Sequence, residues 1–249
     1  ATCVVVGHGM VGHRFVQELR ERDADNSFRV VVLSEEPVAA YDRVGLSGYV
    51  GSWDPTTMAL AGNAYPDDDP VEVRLGESAV TVDRDDRRIT TSSGAEIGYD
   101  ALVLATGSYP FVPPVEGKDH PRSFVYRTLA DLDAIRATAE AAAPGAPGVV
   151  VGGGLLGLEA ANALRLLGMT PHVVEFAPRL MPLQVDEGGG ALLASLVTDL
   201  GLHVHTGVST TAIADAPPSE TADSDLLAVT LSDGTVLDAA LVVFSAGVR

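Results

Sequence analysis

Two stretches of the chain repeat one pattern of apolar and polar positions. In each, a run of valines (Val4–Val6 or Val149–Val151) is followed by a cluster of glycines and then by a segment whose apolar residues lie three or four positions apart. A β-branched run predicts a buried strand, and that spacing predicts a helix with one apolar face. The chain therefore predicts two β-α-β units on parallel sheets. The helices are predicted at 10–21 and 155–167, and the second strands at 28–36 and 171–176.

The intervening segments carry weaker patterns. Residues 71–107 alternate apolar and polar positions, which predicts short strands joined by turns. Thr128, with Asp131 three positions later, predicts the capped start of a helix over 128–143. A further helix is predicted at 186–200. The apolar face of the first predicted helix is expected to consist of Val11, Phe15 and Leu19.

These elements predict an α/β protein with two Rossmann-like, three-layer nucleotide-binding domains. The first domain is expected at residues 1–113, and a linker with a crossing helix at 114–147. The second domain is expected at 148–249. Only 5% of the 249 residues are aromatic although 46% are hydrophobic, so the core must be aliphatic, as in sheets covered by helices on both faces.

Charge and cysteine content exclude several classes of function. The net charge of −18 would repel phosphate backbones, which argues against nucleic acid as a partner. The single cysteine, Cys3, excludes a disulfide framework or an iron–sulfur site within these residues, and it is expected to be buried. His203 and His205 lack an evident third ligand, so no metal site is expected. Residues 141–158 are uncharged but contain prolines and glycines, which favours a linker over a membrane span, so we expect a cytoplasmic protein without a membrane partner.

The glycines have the spacing of a dinucleotide-binding fingerprint. The first glycine allows a tight turn, the second lets a pyrophosphate approach the backbone, and the third lets helix and strand pack closely. Each copy lies between a predicted strand and a predicted helix, which the fingerprint requires. The two sets are Gly7, Gly9 and Gly12, and Gly152, Gly154 and Gly157.

Acidic residues follow each glycine set at the end of the next predicted strand. Glu35 and Glu36 follow the first set, and Glu175 follows the second. A carboxylate at this position accepts hydrogen bonds from ribose hydroxyls and repels a 2′-phosphate, so Glu175 predicts a preference for NADH over NADPH. Arg179 lies close in sequence and weakens that preference. One chain therefore carries two predicted nucleotide sites.

Several longer motifs resemble one family. "VGHGMVGHRF", "SEEPVAAYDRVGLSGY", "LATGSYPFVPPVEG" and "GGGLLGLEAANALRLLGMTPHVVEFAPRLMP" are similar to the N-terminal flavoprotein region of the large subunit of NAD(P)H-dependent nitrite reductase. The glycine motifs and "LATG" are shared with pyridine-nucleotide flavin oxidoreductases in general. The resemblance runs from Val4 to Arg249. It implies an NADH-dependent oxidoreductase module that passes a hydride to FAD.

The resemblance implies specific cofactor contacts. FAD would bind the first glycine loop, with its ribose on the two acids, and NADH would bind the second. Glu159 resembles the family carboxylate near the nicotinamide and is the candidate catalytic residue. The implied FAD residues are Gly7, Gly9, Met10, Gly12, Glu35, Glu36, Arg43, Ala79, Val80, Thr106 and Gly107. The implied NADH residues are Gly152, Gly154, Leu155, Gly157 and Glu175.

The chain also departs from related flavoproteins. Ferredoxin and rubredoxin reductases carry a lysine in the loop after the Tyr-x-Arg sequence, where this chain has Gly48. The resemblance implies a second FAD segment beyond Arg249, so the FAD domain is expected to be incomplete at its C-terminal end and to bind FAD weakly or not at all. It further implies iron–sulfur and siroheme domains outside this chain, and a small subunit, as partners in the reduction of nitrite to ammonium.

Two alternative functions remain open at this stage. A separate ferredoxin- or rubredoxin-reductase-like flavoprotein would share the glycine motifs and the NADH and FAD sites. A nucleotide-binding sensor or interaction module would bind without turnover. No Gly-x-Ser-x-Gly motif is present, so hydrolase chemistry has no support.

Overall fold

The computed structural model describes residues 1–66, 69–217 and 226–249. The chain divides into two compact units, Ala1–Gly107 (the first unit) and Ser108–Arg249 (the second unit). The segment 114–147, which the sequence pattern assigned to a linker and crossing helix, contributes a strand and a helix to the second unit.

The first unit contains a parallel sheet and a smaller antiparallel one. The parallel sheet has the order β3-β2-β1-β7, and β4, β5 and β6 form the antiparallel sheet. The valines in the middle of the central strands β1 and β2 are buried and pack on both faces of the sheet. In chain order the elements are β1 (Thr2–Val6), α1 (Met10–Arg22), β2 (Arg29–Ser34), α2 (Leu46–Ser52), β3 (Val71–Leu75), β4 (Ala79–Asp83), β5 (Arg88–Thr91), β6 (Glu96–Gly98) and β7 (Ala101–Leu104).

The second unit repeats this plan, with one further α-helix and with one further strand in its parallel sheet. Its parallel sheet has the order β11-β10-β9-β15-β8, and β12, β13 and β14 form an antiparallel sheet. The elements are β8 (Ser123–Val125), α3 (Leu129–Ala141), β9 (Pro147–Val151), α4 (Leu155–Leu166), β10 (Thr170–Glu175), α5 (Glu187–Asp199), β11 (His203–Thr206), β12 (Thr210–Asp215), β13 (Leu227–Leu231), β14 (Val236–Ala239) and β15 (Leu241–Phe244). The α/β fold class with parallel sheets is confirmed.

The predicted apolar face of α1 is partly wrong. Phe15 and Leu19 pack against the core, but Val11 is 71% exposed. The buried side of α1 contains Val16. At 3.6 residues per turn, Val11 is rotated about 140° around the helix from Val16 and therefore projects away from the sheet.

Helix starts differ in a way that bears on function. Thr128 and Asp131 form the predicted capping box at α3, and Asp186 caps α5 by accepting from the Gly189 N–H at 2.8 Å. By contrast, α1 and α4 begin after Gly9 and Gly154, which provide no side-chain acceptor. Their first N–H groups are therefore left for another acceptor.

Candidate functional site

In the first glycine loop, a side chain is excluded at two glycines by close packing, whereas the remaining one leaves the backbone open to a ligand. Gly7 has φ +105°, and a Cβ on it would lie 2.2 Å from the Ala105 carbonyl oxygen. A Cβ on Gly12 would lie 1.9 Å from the Gly7 carbonyl oxygen. No atom of the described residues lies within 4 Å of a Cβ built on Gly9. The loop therefore presents open backbone at its second glycine.

The second glycine loop has the same geometry. Gly152 has φ +119°, and a Cβ on it would lie 2.3 Å from the Ser245 carbonyl oxygen. A Cβ on Gly157 would lie 1.9 Å from the Gly152 carbonyl oxygen, whereas one on Gly154 would meet no described atom within 4 Å. Both loops thus have the close packing and the open approach that a pyrophosphate requires.

Each loop leads directly into a helix whose N-terminus can bind an anion. Met10 and Leu155 are the first residues of α1 and α4. Neither helix has an acidic residue in its first turn. The N–H groups of the first turn and the positive end of the helix dipole therefore favour a phosphate in front of each loop.

The carboxylate of Glu175 is bonded to its own glycine loop. Its Oε2 accepts from the Gly153 N–H at 2.6 Å, and its Oε1 accepts from the Ala177 N–H at 2.7 Å. Glu175 ends β10 beside the loop and retains further lone pairs for a ligand hydroxyl. It both fixes the loop and faces the cavity in front of it.

That cavity has a volume of about 580 Å³. Gly152, Gly154 and Glu175 lie in its wall. Phe176 and Leu183 also line it, although their side chains are 80% and 93% exposed. Large apolar side chains exposed on a cavity wall provide a surface for an apolar or aromatic ligand group.

Arg179 has partners within its own loop. Its Nε donates to the Val185 carbonyl and its Nη2 to the Pro182 carbonyl, each at 3.1 Å. The aliphatic part of its side chain packs where a Cβ on Gly190 would lie. Arg179 therefore stabilises the loop that carries Leu183.

In the first unit, Glu36 and Arg43 form an ion pair. The Tyr41 hydroxyl donates to the other carboxylate oxygen of Glu36 at 2.8 Å, and the Arg43 guanidinium lies 5.0 Å from the centre of the Tyr41 ring. Glu35 is exposed, directly after β2. The structure thus places both acids at the carboxyl end of β2, with Arg43 beside the second of them.

The remaining FAD candidates lie at two other points of the first unit. Ala79 and Val80 begin β4, and Val80 is 64% exposed. Thr106 and Gly107 follow β7, and the Thr106 N atom lies 3.2 Å from the position of a Cβ on Gly7. Thr106 and Gly107 are therefore next to the first glycine loop, whereas Ala79 and Val80 belong to the antiparallel sheet.

The second unit has a counterpart of Thr106 and Gly107 that sequence reasoning missed. Ala246 and Gly247 follow β15 as Thr106 and Gly107 follow β7, and they line the cavity of the second unit. Gly107 and Gly247 both have positive φ. The signal was present in the sequence, since "ATG" and "SAG" each directly follow a strand that pairs with the strand before a glycine loop.

Glu159 lies on α4 and is half-buried. The second cavity, as the described residues define it, does not include Glu159 in its wall. The structure thus places Glu159 on the helix that follows the second loop, but outside the cavity wall that contains Gly152 and Gly154.

Two histidines, His8 within the first loop and His13 directly after it, have different environments. His13 is buried, and its Nε2 lies 2.9 Å from the Ala61 carbonyl oxygen. His8 is buried too, but neither of its ring nitrogens has a hydrogen-bond partner in the described part of the chain. Burial, and secondarily His13, lowers the pKa of His8 to about 4. His8 also lines a cavity of about 670 Å³ in the first unit.

The histidine pair on β11 has a third member. His172 on β10 stacks on His203 at 4.5 Å between ring centres, and its Nδ1 lies 3.1 Å from His205 Nε2. The centres of His172 and His205 are 5.4 Å apart with nearly coplanar rings, so the two nitrogens face each other along a hydrogen bond. Within the residues that the structure describes, no group of His, Cys, Asp and Glu has the arrangement of a metal site.

Cys3 is buried on β1, as expected. Among the described residues, the helices are too short or too polar for any of them to cross a bilayer.

Comparison with known proteins identifies related chains along the whole sequence. Residues 1–249 match the family model described as pyridine nucleotide-disulphide oxidoreductase. The chain is 47% identical over 246 residues to the nitrite reductase [NAD(P)H] large subunit of Klebsiella oxytoca, with 99% of this chain and 25% of that protein covered. It is 41% identical over 245 residues to the nitrite reductase (NADH) large subunit of Escherichia coli K12, covering 98% of this chain and 28% of that protein.

A solved structure shows the same fold. The chain matches the ferredoxin reductase of the CYP199A2 system from Rhodopseudomonas palustris with a TM-score of 0.83 and 30% identity, over 99% of this chain and 59% of that one. The resemblance to the large subunit of nitrite reductase is confirmed. The chain spans about a quarter of the length of these curated relatives.

Proposed function

Because the chain belongs to the pyridine nucleotide-disulphide oxidoreductase family, we propose that it is the electron-input region of an NADH-dependent nitrite reductase. The observation that carries the proposal is the repeated glycine loop. Each copy leaves its second glycine open in front of an uncapped helix N-terminus. Two such loops in one chain fit two dinucleotides, one that delivers electrons and one that receives them.

We assign FAD to the first unit. Gly7, Gly9, Met10 and Gly12 would hold its pyrophosphate, and Glu35 and Glu36 its adenosine ribose. The first loop fits this group because its open glycine and free N–H groups match a pyrophosphate in size and charge. Arg43, which pairs with Glu36, would approach the phosphates. Ala79 and Val80 would offer backbone groups to the adenine, and Thr106 and Gly107 would border the cofactor beside the loop.

We assign NADH to the second unit. Gly152, Gly154, Leu155 and Gly157 would hold the pyrophosphate, and the adenine would lie against Phe176 and Leu183. The carboxylate of Glu175 would accept from the ribose hydroxyls. Its negative charge disfavours the 2′-phosphate of NADPH, and Arg179 is engaged with carbonyl groups of its own loop. NADH is therefore the proposed donor.

The chemistry follows from the two cofactors. When bound, the flavin supplies a two-electron acceptor that can release electrons singly. The protein would bind and orient the dinucleotides through the two loops, and the cavity of the second unit, whose wall includes exposed apolar side chains, would cover the apolar part of NADH. Glu159, on α4, would place a carboxylate toward the nicotinamide end. In the whole subunit, electrons would pass to iron–sulfur and siroheme domains outside this chain, in complex with a small subunit, and reduce nitrite to ammonium.

Anaerobic mixing of NADH with FAD-reconstituted protein tests the proposal. Bleaching of the flavin absorbance near 450 nm would show hydride transfer, and NADPH should bleach it at least about tenfold more slowly at equal concentration. A matched control is Gly157→Ala, which should prevent bleaching without affecting the first loop. Binding of both nucleotides without bleaching would instead support a nucleotide-binding module that lacks turnover.

A ferredoxin-reductase-like flavoprotein is the second candidate. The 30% identity to the ferredoxin reductase structure over almost the whole chain favours it. Electron transfer from NADH to a [2Fe–2S] ferredoxin, measured against transfer to the siroheme domain of a nitrite reductase, discriminates the two. Faster reduction of the ferredoxin would overturn the nitrite reductase assignment.

A further inference from the structure

His8 is the residue between the first two glycines of the first loop, and its side chain is 6% exposed. Neither ring nitrogen finds a partner in the described part of the chain, whereas the neighbouring His13 bonds to the Ala61 carbonyl. A buried polar group without a hydrogen bond is costly, because it has lost its water without replacement. The described residues of the first unit therefore leave the imidazole of His8 without a hydrogen-bond partner, and a bound ligand could supply one.

The second unit shows which way a side chain at this position is directed. Gly153 lies between the first two glycines there. A Cβ on Gly153 would lie 2.8 Å from Glu175 Cβ and 2.7 Å from Leu180 Cδ2. A side chain at this position is thus directed at the end of β10, the second strand of the β-α-β unit, and at the loop that follows β10.

The backbone register defines the corresponding residues of the first unit. The Gly7 N–H donates to the Leu33 carbonyl as the Gly152 N–H donates to the Val174 carbonyl. The next residue of the strand is therefore Ser34 in the first unit and Glu175 in the second. Counted onward from these two residues, Ala39 corresponds to Leu180. Ser34 and Ala39 are small, and they leave room for the imidazole where the second unit has a leucine.

His8 follows β1 and lines the first cavity together with residues of β3 and of the segment after β2. His8, Ala39 and Leu75 all line it; Ala39 follows β2 and Leu75 ends β3. Asn63 and Tyr65 also line it, and their Oδ1 and Oη atoms are buried without hydrogen-bond partners among the described residues. The imidazole thus lies at the carboxyl edge of the sheet, where Glu35 follows β2.

We infer that His8 is a contact residue for the adenosine half of FAD, with its imidazole hydrogen-bonded to a ribose hydroxyl next to Glu35. This inference rests on the proposed assignment of FAD to the first unit. Because burial lowers the pKa of His8 to about 4, its ring is neutral at pH 7 and offers one donor and one acceptor. A hydroxyl group is complementary to either nitrogen, since it both donates and accepts.

His8→Leu tests the inference because its two expected effects have opposite signs. An apolar side chain at this buried position removes the unpartnered nitrogens, so the apo protein should unfold at a higher temperature. The same change removes the ribose contact, so the FAD dissociation constant, measured by flavin fluorescence, should rise about tenfold. NADH binding by the second unit should be unchanged. His8→Asn retains a donor and an acceptor and should keep most of the FAD affinity.

Unchanged FAD affinity in His8→Leu would overturn the inference and leave the FAD assignment intact, and so would a lower unfolding temperature. These measurements use the whole subunit, since residues 1–249 alone are expected to bind FAD weakly or not at all. Failure of the wild-type subunit to bind FAD would refute the assignment itself. A second measurement needs no variant: ¹⁵N spectra of histidine-labelled protein should show the His8 ring signals shift with FAD and not with FMN, which lacks adenosine. His8 signals that are unmoved at saturating FAD would contradict the contact.

Discussion

The two units share one frame but hold their glycine loops by different means. In the second unit, the carboxylate of Glu175 bonds to the loop through the Gly153 N–H, and a leucine, Leu180, packs against Gly153. In the first unit, Ser34 stands at the corresponding strand position, and the imidazole of His8 is buried beneath the loop. The glycine spacing therefore specifies the turn, whereas the residues around it decide how the loop is held and which groups face a ligand.

The largest expected effect, on NADH binding and on stability, comes from adding a side chain to a glycine that is in close contact with its own loop. Gly157→Ala places a Cβ 1.9 Å from the Gly152 carbonyl oxygen, so the loop and α4 must move apart. We expect loss of NADH binding by about a hundredfold or more and a lower unfolding temperature. Isothermal titration with NADH and calorimetric unfolding measure the two effects.

Gly154→Ala is the matched control for that change. Its Cβ meets no described atom within 4 Å, so the unfolding temperature should remain close to wild type while NADH binding still weakens. The same contrast should appear for Gly12 and Gly9 with FAD. Equal destabilisation by both alanines would show that the second glycine serves packing and not access.

A large effect is also expected from Glu175→Gln. The amide keeps the size of the side chain but can no longer accept with both oxygens from the Gly153 and Ala177 N–H groups. We expect NADH to bind roughly 10- to 100-fold more weakly, because the loop loses a charge-assisted hydrogen bond as well as a ribose contact. NADPH should lose less, since the repulsion of its 2′-phosphate is removed.

Comparison of NADH with NADPH binding in wild type and Glu175→Gln measures this difference. FAD binding by the first unit, where Ser34 has the corresponding position, is the internal control and should not change. A constant NADH to NADPH ratio would remove Glu175 from the ribose site.

Phe176→Ala should have an intermediate effect. The ring is 80% exposed on the cavity wall, and its removal costs contact area with the adenine but little folding stability. We expect about tenfold weaker NADH binding. Reduced nicotinamide mononucleotide, which lacks the adenine, should bind equally to both proteins. Leu192→Ala, an exposed leucine outside that wall, serves as control.

The smallest effect is a loss of stability in acid. Burial, followed by the charges of His203 and His205, lowers the pKa of His172 to about 4, and burial also lowers that of His205. The folded second unit therefore favours neutral imidazoles. Its stability from this source is fully present above the ordinary histidine pKa of about 6.5 and declines as the pH falls from there toward 4.

His172→Phe keeps a flat ring without a titrating group. The variant should show a smaller decrease in unfolding temperature between pH 7.5 and pH 5 than wild type, measured by circular dichroism. An equal decrease in both proteins would mean that the histidines of β10 and β11 do not contribute to the acid sensitivity.

Local sequence patterns determined the repeated elements of this protein. The valine runs gave β1 and β9, and the positions of Thr128 and Asp131 gave the capped start of α3. The spacing of the glycines predicted both loops, because close contacts exclude a side chain at Gly7, Gly12, Gly152 and Gly157. Gly7 and Gly152 also have positive φ. These features depend on residues near one another in the chain, so a linear pattern can carry them.

Contacts between distant segments were decided only by the tertiary structure. The pairing of β10 with β11 brought His172 to His203 and His205, and the ends of β15 and β10 brought Gly247 to the cavity of Glu175. Likewise, the burial of His8 and the exposure of Val11 depend on how α1 and the loops pack on the sheet. Sequence periodicity records which residues are apolar, but burial and partners depend on which distant strand or loop lies opposite, and that is fixed only when the sheets form.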